Sequence, residues 1–166
     1  MIDKLIYNLA ENAAQYVAAG FSFDAVGYLK EDKVVKQTPN GLTEIGPDDR
    51  RGNYFYIRHT NAALTFEPIG RGACANEYEA TANLRLVMQS ECISADKMKA
   101  LAISAIANAA AAPLPFAKLK RTRITEAGEG INIAEAVENA KSSVIYVDFN
   151  FVAILDLKEC KKIGIC

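Results

Sequence analysis

Asp148 and Asn150 stand two residues apart inside the run SSVIYVDFNFVAILDL, residues 142 to 157, where most neighbours are β-branched or aromatic. In a strand both lie on one face. They either belong to a chemical site or mark a face turned to water or to another chain. The single histidine, His59, lies in RHTN at a strand end, with Asp48 and Asp49 a few residues upstream, so a His–carboxylate base can be drawn there. No nucleophile elbow or HExxH frame surrounds it, and a turn histidine is the simpler reading.

A third cluster is electrostatic. Lys118, Lys120, Arg121 and Arg123 put four cations into six residues of a chain whose formal net charge is -1. Strict strand alternation places Lys118 and Lys120 on one side and Arg121 and Arg123 on the other, so no one-sided stripe is expected, and no aromatic residues interleave them. The run is read either as a contact for phosphate or an acidic partner, or as a charge-protected edge strand. GRGAC at 70–74 could present backbone amides to a phosphate, but a strand rather than a helix follows it, so a turn or bulge is expected. Glu77 and Glu79 share a strand face with Thr81, Asn83 and Arg85, the composition of a solvated surface.

Cys74, Cys92, Cys160 and Cys166 form no CxxC pair, and His59 is the only histidine to join them. No zinc site and no other cofactor is expected, and the cysteines read as small buried hydrophobes of a reducing compartment. The N-terminus lacks a signal-peptide pattern, and no stretch approaches the roughly 18 apolar residues of a membrane helix. With 166 residues, 51% of them hydrophobic, residues 1–166 make one domain with a core of its own.

The elements that must hold these residues can be read from periodicity. After Asp3 as an N-cap, Leu5, Ile6, Leu9, Ala13, Tyr16 and Val17 mark a first helix, closed by Gly20. FSFDAVGYLK reads as a strand, and residues 31–53 form a long projecting loop or hairpin around TPNG and GPDDRRGN, with a short strand at Val34 and Val35. YFYIRH and ALTFEPI are expected to pair as a hairpin through TNA. EYEATANLRLVMQ, residues 77–89, alternates cleanly, with Tyr78, Ala80, Ala82, Leu84, Leu86 and Met88 on one face and Val87 as the exception on the other.

Ser94 caps a second helix through an Ile93–Met98 staple; its stripe is Met98, Leu101, Ala102, Ala105, Ile106 and Ala109, and Pro113 and Pro115 end it. A basic strand, FAKLKRTRITEAGEG, a short helical segment, INIAEAVENAKS, and the opening strand complete the chain. Strands joined by tight turns with helices set apart predict an α+β fold: a largely antiparallel sheet with two main helices on one face.

This order, from MIDKLIYNLAENA through EYEATANLRLVM and SADKMKALAISAIANA to VIYVDFNFVAIL, resembles the neck and tail-completion proteins of tailed bacteriophages, the tail terminators in particular. The resemblance implies a non-enzymatic virion subunit that assembles as a homo-oligomeric ring between head and tail. It would contact other connector or tail proteins and lie near DNA, with no membrane. It carries over no catalytic residue. Ile145, Val147, Phe149, Phe151, Ala153 and Leu155 form the core face of the last strand. Tyr146, Asp148, Asn150 and Val152 are then the expected subunit-interface face, hydrated in the middle and apolar at the ends. The alternative is a small bacterial ligand-binding or enzymatic domain with its site near His59.

Overall fold

The computed structural model describes residues 2–17, 23–31, 33–47, 53–60, 65–69, 77–109, 112, 114, 117–129 and 143–156. Among the described residues two helices, α1 (Ile2–Val17) and α2 (Ala95–Ala109), accompany eight strands: β1 (Ala25–Lys30), β2 (Lys33–Thr38), β3 (Gly41–Pro47), β4 (Tyr54–His59), β5 (Thr65–Ile69), β6 (Glu77–Ser90), β7 (Ala117–Glu129) and β8 (Ser143–Asp156). All eight strands belong to one mixed, mostly antiparallel sheet ordered β3-β2-β1-β4-β6-β8-β7, with β5 also paired to β6. The α+β class expected from periodicity is the class observed. INIAEAVENAKS, GRGAC, Gly20, Asp48, Asp49, Pro113, Pro115, Cys74, Cys160 and Cys166 lie outside the described residues.

Both helices pack against each other and against one face of the sheet, α1 over β1 and β4, α2 over β8 and β7. The stripe of α2 is buried at Met98, Ala102, Ala105, Ile106 and Ala109, with Leu101 partly buried beside them, and Ile93 packs on the same core. The alanines leave the helix axis close to the strands. Asp3 lies within the first turn of α1 rather than capping it, and its carboxylate accepts a hydrogen bond from Lys30 Nζ of β1 at 3.2 Å. Alternation in β6 and β8 comes out as read: Ala80, Ala82, Leu84, Leu86 and Met88 meet Ile145, Val147, Phe149, Phe151, Ala153 and Leu155 in the core beneath the helices.

The polar excursion after β1 is a hairpin of the sheet. β1 turns into β2 through Glu31, whose φ of 57° is the left-handed conformation that a two-residue hairpin turn demands. β2 turns into β3 at Pro39 and Asn40, with Gly41 at φ 105° closing the turn. Val34 and Val35 are both buried, which anchors the hairpin as sheet rather than loop.

The hairpin expected between YFYIRH and ALTFEPI does not form. β4 pairs with residues 84–89 of β6 and β5 with residues 77–81, so the two lie end to end along one edge of β6. The reason is length: at 14 residues β6 has room for both short strands in succession, and both pair with it over their whole length.

Candidate functional site

The face of the sheet away from α1 and α2 carries the odd-numbered residues of β6 and the even-numbered residues of β8. Across this face Val87 lies opposite Tyr146, Arg85 opposite Asp148, Asn83 opposite Asn150 and Thr81 opposite Val152. The four residues expected to share a face therefore do. The register also shows what occupies them within their own chain.

Arg85 donates from Nε to Asp148 Oδ1 at 2.7 Å and from Nη2 to Oδ2 at 2.8 Å, a two-pronged pair whose planar fork fixes both side chains. The same guanidinium lies 4.4 Å from the centre of the Tyr146 ring. The Tyr146 hydroxyl donates to Glu126 Oε1 at 2.7 Å, and that bond, with burial second, holds the phenol above its ordinary value. The hydroxyl end of the Tyr146 ring also lies on Gly128: a β-carbon there would stand 2.6 Å from the hydroxyl oxygen and 2.7 Å from ring carbons. The ring thus contacts both Arg85 and the bare backbone of Gly128, its cross-strand partner.

The apolar end of this face does not wait for another subunit. Leu29, Val34, Tyr54, Tyr56 and Val87 form a second buried cluster, Val144 packs on it, and the Tyr54 and Tyr56 rings stack with centres 5.5 Å apart. Val87, an apolar residue out of place on a polar strand face, belongs to this cluster. Val152 is only 3% exposed and offers no area to a partner.

The basic run is rearranged by geometry that alternation alone misses. β7 pairs with β8 with two register shifts, one at Lys120 and one at Thr125. Each inserts an extra residue, and an extra residue inverts which side the following residues face. Lys118 comes opposite Ile154, Arg121 opposite Val152 and Arg123 opposite Asn150, all on the open face. Lys120 itself reaches across to Glu79 on that face, Nζ to Oε2 at 2.7 Å. The two-sided arrangement expected from strict alternation is therefore replaced by a single cationic line. Among the described residues Lys118, Arg121 and Arg123 make no ion pair and all three are exposed. The one trace of this in the sequence is the adjacency of Lys120 and Arg121, which a strand with an exposed face and a buried face accommodates by bulging.

His59 lies at the other end of β4, beside a groove of about 500 Å³ lined by Asp3, Tyr28, Leu29, Lys30, Glu31, Arg58, His59 and Thr60. Its ring meets Tyr28 edge-on, centres 5.9 Å apart. Burial lowers the imidazole's affinity for a proton and Lys30 adds to this, while Asp3 opposes it. Burial also pushes the Tyr28 phenol up to about 12. Asp3, the carboxylate that acts on His59, is committed to Lys30, which also binds Glu44 at 2.9 Å. The groove thus holds an imidazole whose hold on a proton is weakened by burial, beside a chain of ion pairs, with no aligned nucleophile–base–acid set among the described residues.

No group of three or more His, Cys, Asp or Glu among the described residues could hold a metal ion. Cys92, expected to be buried, is an exposed free thiol in the bend between β6 and α2, where no core surrounds it. No helix among the described residues is long and apolar enough to cross a membrane. No protein-family model matches the chain, and no curated protein matches it.

Proposed function

We propose that the chain is a non-enzymatic structural subunit of a tailed-bacteriophage virion, joining copies of itself into a ring at the head–tail connector or the tail end. The observation that supports this reading best is the pair of unlike edges on one sheet: among the described residues β3 ends it on one side and β7 on the other. A chain with two different free edges favours head-to-tail contact, and head-to-tail contacts generate rings when the rotation closes. The bulges of β7 disfavour simple strand addition, so contacts at that edge are made by side chains. The open face of β6 and β8 supplies the remaining surface around Asp148 and Tyr146, clear of the cationic line of β7. In the virion the neighbours are other connector or tail proteins, and assembly takes place in the bacterial host.

Light scattering coupled to size-exclusion chromatography, followed by negative-stain imaging, tests the ring. A discrete closed oligomer is expected, alone or on addition of assembled particles. A strictly monomeric protein that is absent from purified particles overturns the reading.

The groove at His59 favours a second reading, a small ligand-binding or enzymatic domain. His59→Ala separates the two. The second reading requires loss of a ligand-dependent signal, whereas the structural one requires unaltered assembly.

A further inference from the structure

We infer that the line Lys118, Arg121 and Arg123 on β7 is a docking site for the sugar–phosphate backbone of a nucleic acid, bound without regard to sequence. Three features carry this. The bulge at Lys120 brings the cations onto one face, where they come opposite Ile154, Val152 and Asn150, alternate residues of β8. They are exposed, and among the described residues none forms an ion pair with a carboxylate, while three acids of the same face are engaged elsewhere: Glu79 with Lys120, Asp148 with Arg85, and Glu126, through a hydrogen bond, with Tyr146. The chain as a whole is nearly neutral, so the charge is local.

Spacing selects the partner. One face of an antiparallel strand repeats every ~6.8 Å, and the phosphates of one duplex strand, ~3.4 Å apart along the axis but wound around it, lie roughly one such repeat apart along the backbone, so successive cations meet successive phosphates. An acidic protein surface offers this repeat only where carboxylates occupy alternate positions of one strand, whereas every phosphodiester strand carries it along its whole length. Edge protection against strand pairing needs charge on the edge but no alignment on a single face. Asn83 and Asn150, opposite each other on the same face, add amide groups beside Arg123 without adding negative charge. No aromatic residue interleaves the cations, so the contact is with backbone rather than with stacked bases.

The site does not depend on ring formation, because each copy carries the whole line. The test is fluorescence anisotropy with a labelled ~30-base-pair duplex of arbitrary sequence, titrated at several salt concentrations. Four proteins are compared: wild type; the neutralised triple variant Lys118→Gln, Arg121→Gln, Arg123→Gln; the charge-retaining variant Lys118→Arg, Arg121→Lys, Arg123→Lys; and a control, Lys4→Gln, Lys36→Gln, Lys97→Gln, which removes three cations elsewhere. Each phosphate contact contributes about 0.9 to the salt slope, so neutralising three reduces the slope by roughly 2.7 per bound chain. Raising salt fourfold should then weaken wild-type binding by a factor of roughly 40 more than it weakens the neutralised variant. The charge-retaining and control variants keep wild-type binding, and a second duplex of unrelated sequence binds equally.

Wild-type affinity in the neutralised variant overturns the inference, as does an equal loss in the control. Polyglutamate of matched charge that displaces the duplex as well as unlabelled DNA does also overturns it, because the line then serves acidic partners in general. If neutralisation dissolves the assembly while duplex affinity persists, the cations serve subunit contacts and the inference falls with the ring intact as a reading.

Discussion

Arg85 and Asp148 face each other across β6 and β8, two strands far apart in the chain, and join from Nε and Nη2 to the two carboxylate oxygens at 2.7 and 2.8 Å. The pair is partly shielded, with side chains 24% and 17% exposed. Such charge-assisted, two-pronged bonds are stronger than ordinary surface ion pairs. Arg85→Ala is expected to cost about 1–2 kcal/mol, and the double-mutant cycle with Asp148→Ala to return a coupling near ~1 kcal/mol in urea unfolding. Strict additivity would show that the pair is ornamental to stability.

Gly128 is expected to tolerate no side chain while Tyr146 is present. Alanine there forces the ring off its seat and breaks its contacts with Arg85 and Glu126. Gly128→Ala should destabilise by about 1–2 kcal/mol, and the cost should largely vanish in a Tyr146→Ala background, because the clash has gone. Thermal unfolding of the four proteins checks this, with tyrosine fluorescence as a local report.

His59 predicts a pH dependence with a definite sign. Its folded-state affinity for a proton is lowered from the ordinary value of 6.5, chiefly by burial. The unfolded chain therefore binds the proton more readily, and stability rises with pH across this window. The contribution is complete above 6.5 and is lost as pH falls below it toward the folded-state value. As the only histidine, His59 gives one imidazole resonance by nuclear magnetic resonance, which should titrate below 6.5. His59→Gln should flatten the change in unfolding free energy between about pH 5 and pH 7.

Gly41 closes the β2–β3 turn at φ 105° with open space around the position of a β-carbon. Alanine there meets no neighbour, so any cost is backbone strain alone. Gly41→Ala should destabilise by about 1 kcal/mol, and Gly41→Asn by less, since Asn visits the left-handed region more readily. Denaturant midpoints measure both. Equal stability of all three would place the turn in another conformation in solution.

Much of this architecture was legible in the chain because it rests on short-range periodicity. The alternation of residues 77–89 and 144–155 and the stripe of Met98, Ala102, Ala105, Ile106 and Ala109 follow from which spacings bring side chains to one side of a strand or a helix. The start of α2 directly after Ser94, whose carbonyl accepts from the Met98 amide, and the turn at Gly41 are equally local, since each depends on a few adjacent residues. The α+β class followed from their order.

The candidate site was not legible in the same way. Whether Lys118 and Arg121 share a face depends on a bulge at Lys120, and a bulge is chosen by the fit of β7 to β8, not by β7 itself. Tyr146 lies on Gly128, 18 positions away in sequence, and Arg85 reaches Asp148 over a separation of 63. β4 and β5 follow each other along β6 instead of pairing because a third, longer strand competes for both. By itself the sequence determined which residues seek the core, because that preference is carried by each side chain and its nearest periodic neighbours. Only the tertiary structure decided which charges stand together, because one inserted residue in a ladder reverses the direction of those that follow it.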